Sequence, residues 1–197
     1  MAYEAQNFER LIGTPGFSEQ LLKNHFTLYQ GYVANTNKLG DLLLAMNRDG
    51  KSATPEYAEL KRRFGWEFHG MRLHELYFGN MANGGKGIIQ QALLYSFITN
   101  QFGSFNQWEA DFKATGALRG IGWVVLYYDH TGKRLFNTWV NEHDVGHLSG
   151  CVPLLIMDVF EHAFMLDYGL KRVDYIAAFF KAIDWDAVAG RFEAARR

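Results

Sequence analysis

Three glycines within five residues, in Asn83-Gly84-Gly85-Lys86-Gly87, divide this 197-residue chain into halves of different character. Adjacent glycines cost too much backbone entropy to lie inside a helix, so any helix reaching this run must end there. Before it, the pattern is helical. After Gly13, Pro15 and Gly16, Ser18 is placed to cap a helix that carries Leu21, Leu22, Leu28, Tyr29, Tyr32, Val33, Leu39 and Leu43 on one face. Asn47, Asp49 and Gly50 break the pattern. Thr54 and Pro55 then supply the cap and first-turn proline of a second helix, striped by Leu60, Phe64, Met71 and Phe78. Residues 1–84 are therefore expected to form a helical hairpin domain.

Beyond the glycines the pattern changes. Ile88 to Gln101 and Phe105 to Leu118 read as helices, until Gly120-Ile121-Gly122 interrupts the period. Trp123 to Tyr128 is β-branched and aromatic, Asp129, Thr131 and Gly132 supply turn chemistry, and Arg134 to Val140 reads as the returning strand of a hairpin. Val152 to Met157, after Gly150, is a short apolar run suited to a buried strand. From Phe160 helical spacing resumes through Tyr168, Phe179, Phe180 and Trp185. The predicted class is α+β: an N-terminal helical hairpin, then a C-terminal domain over 85–197 with a three-stranded antiparallel sheet and flanking helices.

The charge balance, 20 Lys and Arg against 21 Asp and Glu, lacks the excess of cations that neutralises a nucleic-acid backbone, so nucleic acid is not an expected partner. Cys151 is the only cysteine, which excludes an internal disulfide and a multi-thiolate metal site. No stretch reaches the roughly 18 apolar residues of a membrane span. Residues 1–20 contain Glu4, Glu9, Arg10 and Glu19 and no apolar run long enough for a secretory leader, so a cytoplasmic location is expected.

Histidines carry the chemistry. They stand at 25, 69, 74, 130, 143, 147 and 162. His25 lies between Leu21 and Leu28/Tyr29, and His74 between Met71 and Phe78, so each should face the other helix. A histidine on an apolar stripe is usually a core residue bonded to a backbone carbonyl, but two on facing helices could share an ion. Asp158 closes the apolar run from Pro153 to Met157, where a carboxylate would be costly without a neutralising cation. His162 follows four residues later, within reach of the same ion; a helix-capping aspartate beside an unrelated histidine is the alternative.

The segment Asp158-Val159-Phe160-Glu161-His162-Ala163-Phe164, with Leu166-Asp167-Tyr168 and Asp174-Tyr175-Ile176 behind it, resembles the Asp-x-Trp-Glu-His-Ala-Tyr signature of iron/manganese superoxide dismutases. Phe102-Gly103-Ser104-Phe105, Gly120-Ile121-Gly122-Trp123, Pro153-Leu154-Leu155 and Ile183-Asp184-Trp185 extend the match in order. In the first half His25 with Tyr32-Val33-x-Asn35, and His74 with Tyr77-Phe78 and Asn80, are similar to that family's two helices, so the resemblance covers almost the whole chain. It implies His25, His74, Asp158 and His162 as ligands of one iron or manganese ion per subunit, held between the two domains. Zinc has the wrong chemistry, since it cannot change oxidation state. Three neutral imidazoles and one carboxylate let an electron and a proton move together, so the buried charge stays constant while superoxide becomes dioxygen and hydrogen peroxide.

The resemblance also implies roles around the metal. His143, fifteen residues before Asp158, matches a Gln or His that hydrogen-bonds metal-bound solvent, and Gly70 stands where many iron enzymes carry a Gln four residues before the second ligand. This pattern leans to iron. Tyr32 matches a gateway tyrosine and Trp123 a wall beside the metal. From His25 to Tyr32 is seven residues, one fewer than the family's usual spacing, yet in a regular helix His25, Tyr29 and Tyr32 still share a face. A lost π-bulge would produce this change. Tyr29 replaces a histidine and Met165 a tyrosine that normally meet across a dimer, which implies a rebuilt subunit contact, while Glu161, which reaches the partner's ligand histidine, is retained. A homodimer is expected, and the sequence does not distinguish it from a homotetramer built as a dimer of dimers. Phe160 replaces the signature tryptophan. Lys171 and Arg172 stand near a channel-side basic position or form a solvated turn. His69, His130 and His147 match no role, and His69 lies about 140° around the helix from His74. The competing readings are a non-haem iron oxygenase or metallohydrolase, and a metal-binding relative that has lost activity.

Overall fold

The computed structural model describes residues 2–197. Helices α1 (Glu19–Arg48) and α2 (Pro55–Gly79) form the expected hairpin. The Ser18 hydroxyl accepts from the Leu21 N–H and the Thr54 hydroxyl from the Tyr57 N–H, so each helix starts at its predicted cap. Leu21, Leu22, Phe26, Tyr29 and Val33 of α1 and Met71, Leu73, Tyr77 and Phe78 of α2 are buried. Among the described residues α1 is α-helical throughout, with no π segment. The short spacing from His25 to Tyr32 is therefore accommodated by a regular helix.

Strands β1 (Gly122–Asp129), β2 (Arg134–Asn141) and β3 (Cys151–Asp158) form an antiparallel sheet in the order β2-β1-β3. The central strand β1 is buried along both faces, which explains its unbroken apolar run. Its register sets Trp123 opposite Asp158. Helices α3 (Leu93–Phe102), α4 (Phe105–Gly116), α6 (Arg172–Ala182) and α7 (Trp185–Ala195), with the short α5 (Met165–Tyr168), flank the sheet. The fold is α+β. No helix among the described residues is long and apolar enough to cross a membrane.

Two expectations need correction. The helix read over Ile88 to Gln101 begins only at Leu93. The chain before it is bonded to the link between α6 and α7, with the Ala82 N–H donating to the Ala182 carbonyl and the Lys86 N–H to that of Ile183, both at 2.8 Å. Nor does one helix run on from Phe160. A 3-10 turn over Glu161–Ala163 leads into α5, and Gly169 at φ +53° breaks the chain before α6 begins.

Candidate metal centre

Asp158 is the last residue of β3, fully buried at the seam between sheet and hairpin. One of its carboxylate oxygens, Oδ1, accepts from the Phe160 N–H, a local turn that swings His162 back over the strand end. The other, Oδ2, faces three imidazole nitrogens: Nε2 of His162 at 3.1 Å, of His25 at 3.2 Å and of His74 at 3.6 Å. One donor atom from each of these four residues lies within 4.8 Å of all the others. Helix α1 supplies the first, α2 the second, and the end of β3 with its following turn supplies the remaining pair, so the residues named from sequence converge from both halves.

The His74 tautomer is decisive for what the cluster can hold. Its Nδ1 lies 2.6 Å from the Gly70 carbonyl, which can only accept, so Nδ1 carries the proton. Nε2 is left with a bare lone pair, and among the described residues this buried atom has no hydrogen-bond partner. Burial holds His74 well below the usual imidazole range and His25 below it as well, so both stay neutral. Burial alone would raise the Asp158 carboxyl, but the His162 and His25 imidazoles overcome it and hold the group below the ordinary carboxylate range. The neutral nitrogens of His25 and His74 beside an ionised oxygen belong to the donor set of a cation, and the orphaned His74 nitrogen fits one.

A hydrogen-bonded layer backs the cluster. The Trp123 indole N–H donates to Nδ1 of His143 at 3.1 Å, so the His143 proton is on Nε2. That nitrogen lies 2.8 Å from the Tyr32 hydroxyl oxygen and donates to it. Burial depresses His143 to about 4, consistent with the neutral ring, and burial also raises the Tyr32 phenol above its ordinary value. The Tyr32 ring stacks on His74 with centroids 5.2 Å apart. A β-carbon on Gly70 would come within 2.5 Å of the Tyr32 ring, so glycine is what lets the tyrosine lie there and leaves no room for a glutamine.

Other side chains depart from expectation. Tyr29 points inward: fully buried, it donates to Glu75 Oε1 at 3.0 Å and accepts from the Gln6 N–H, which ties the N-terminal segment to α2. A regular α1 turns this residue into the hairpin. Arg172 is anchored, donating to the Leu118 and Gly120 carbonyls, and is not a solvated turn residue. Phe160 stacks against both His143 and His162. Sequence reasoning missed Trp66, whose ring packs 4.4 Å from His143 and 5.6 Å from Tyr32 while its N–H donates to Glu142. Steps of four along α2, from Trp66 to Gly70 to His74, were the available signal. It also missed the work of Tyr175, whose hydroxyl donates to the Asp158 carbonyl and accepts from Tyr77.

Residues 90–191 match the family described as iron/manganese superoxide dismutases, C-terminal domain. The superoxide dismutase [Fe] of Aquifex aeolicus is 38% identical over 187 residues, covering 92% of this chain and 87% of that one. The chain belongs to the iron/manganese superoxide dismutases. Manganese members are equally similar: superoxide dismutase [Mn] 2 of Haloferax volcanii is 38% identical over 182 residues, covering 92% of this chain and 89% of its own. Superoxide dismutase [Mn] of Haloarcula marismortui is 39% identical over 183 residues, covering 91% and 87%. Iron-named and manganese-named relatives thus stand at the same distance, and family membership leaves the metal to be argued from the side chains.

Proposed function

We propose that the chain disproportionates superoxide to dioxygen and hydrogen peroxide, with one iron or manganese ion held by His25, His74, Asp158 and His162. The observation that carries this reading is the buried His74 Nε2, a lone pair aimed into the cluster with no partner. The bound metal supplies the one-electron change that superoxide requires in each direction.

The chain's own residues do the rest. His25, His74 and Asp158 have side chains at most 1% exposed, whereas His162 is 24% exposed, so a small anion approaches from the His162 side. Trp123, Phe160 and Trp66 wall off the remainder and limit the site to small species. Forming hydrogen peroxide consumes two protons. Because His143 Nε2–H donates to the Tyr32 oxygen, the Tyr32 O–H remains free to be donated toward an incoming anion. Its raised pKa keeps that proton in place at neutral pH. His143 acts on the metal's solvent through Tyr32, to whose oxygen its one N–H is donated.

His143 acting where Gly70 admits no glutamine supports iron as the working metal. Glu161, together with the exposed Met165 and Leu166, supports a homodimer formed through this face. The division at residues 84/85 into a hairpin domain and an α/β domain, with the site between them, belongs to the same reading, as does a cytoplasmic location. Natively expressed protein should carry about one iron or manganese per chain and remove superoxide, and His74→Ala should lose both. A metal-loaded wild-type protein that leaves superoxide untouched would overturn the assignment.

A further inference from the structure

Two of the histidines without a family role meet behind His143. His147 stacks on His69 of α2, with ring centroids 4.2 Å apart and planes 24° from parallel. Both His147 nitrogens are engaged. Nε2 lies 2.8 Å from the His143 carbonyl, which only accepts, so Nε2 donates; Nδ1 is therefore unprotonated and accepts from the Tyr127 hydroxyl at 2.8 Å. A directed chain runs from β1 through His147 to the backbone of His143.

The backbone there needs such support. Glu142, immediately before His143, has φ +50°, a left-handed conformation that a glutamate adopts only when its surroundings impose it. The loop closes by paired bonds between Asn141 and Val145, and it turns at Gly146, φ +105°, where a β-carbon would stand 2.7 Å from the Trp139 carbonyl. Those contacts fix the loop's ends. Among the described residues only the bond from His147 fixes the His143 carbonyl itself, and His69 holds the His147 ring in plane from the other half of the molecule.

We propose that His147 is a positioning residue: oriented by Tyr127 and stacked on His69, it locks the His143 backbone so that the His143 ring keeps its bonds to Trp123 and Tyr32. It touches no reacting atom. A hydrogen-bonded network of this kind, half-buried at His147 and His69, restricts its members to few arrangements, and an outer partner of this kind typically affects activity by about 10- to 100-fold. The inference rests on the role given to His143 above, and its test separates the two.

The test uses the full chain, metal-free and metal-loaded, with His147→Phe, His147→Gln and Tyr127→Phe. In the metal-free protein the imidazole N–H proton of His143, bonded to Tyr32, should give a slowly exchanging resonance. His147→Phe keeps a ring on His69 but lacks both nitrogens; it should shift or broaden that resonance and lower dismutation about tenfold in the loaded enzyme. His147→Gln can donate to the carbonyl and accept from the hydroxyl, so it should recover most of both. Tyr127→Phe removes a single oxygen and keeps the fold in case His147→Phe does not; it should shift the His143 resonance with a loss of about threefold. An unmoved resonance in Tyr127→Phe, or failure of His147→Gln to restore what His147→Phe loses, would overturn the positioning role. If the wild-type loaded protein is inactive, the dismutase reading fails while the resonances still decide the brace.

Discussion

The two sides of His74 are built on opposite principles. Toward Asp158, buried lone pairs converge and one has no partner; toward His143, nearly every buried nitrogen and hydroxyl is donated or accepted within the chain. An unsatisfied cluster has to be completed from outside, whereas a satisfied one can only tune what its neighbour does. The contrast predicts that changes on the first side abolish function and changes on the second grade it.

The largest effect should come from Asp158→Ala. It removes the buried carboxylate that faces three imidazoles, so metal content should fall to near zero and activity to that of the metal-free protein, both readable by metal analysis and a superoxide assay. Next is acid stability. Folding holds His143 at about 4 against an ordinary 6.5, so the unfolded chain takes up a proton that the folded chain refuses. Stability should be full above about pH 6.5, fall as pH drops toward about 4, and lose about 3 kcal/mol in total from this group. Urea melts of the metal-free protein at stepped pH should show a correspondingly smaller acid loss in His143→Gln. If the two proteins lose the same stability, the layer behind the cluster is less enclosed than its contacts imply.

Gly70→Ala sits on the boundary between the two sides. Its new methyl would meet the Tyr32 ring, costing about 2 kcal/mol in thermal or denaturant unfolding and displacing the hydroxyl from His143. Activity should fall while metal content holds. The smallest effect belongs to Tyr32→Phe, which deletes one hydroxyl and leaves the ring stacked on His74; turnover should fall by about tenfold or less with full metal loading. A loss of metal in Tyr32→Phe would mean that the two sides are not separable in the way described.

How much of this could be read beforehand differs by element. Caps at Ser18 and Thr54, the stripes of α1 and α2 and the three strands are local, and local chemistry announces them. The start of α3 was not legible, because hydrogen bonds from Ala82 and Lys86 to residues about a hundred positions away hold that stretch out of a helix. The four clustered residues could be named as a set because the Asp158–Phe164 segment resembles a family signature, and the aspartate closing an apolar strand pointed the same way. The inward turn of Tyr29, the cover provided by Trp66 and the brace through His147 depend on which way a ring faces in three dimensions, and spacing along the chain does not decide that.

The register that sets Trp123 opposite Asp158 ties catalytic competence to sheet assembly. A slip of β1 by one position would turn the indole to the far side and leave His143 without its donor, even if the metal residues still met. Refolded molecules should accordingly regain dismutation in step with correct strand alignment, and a mispaired conformer would be compact yet inert.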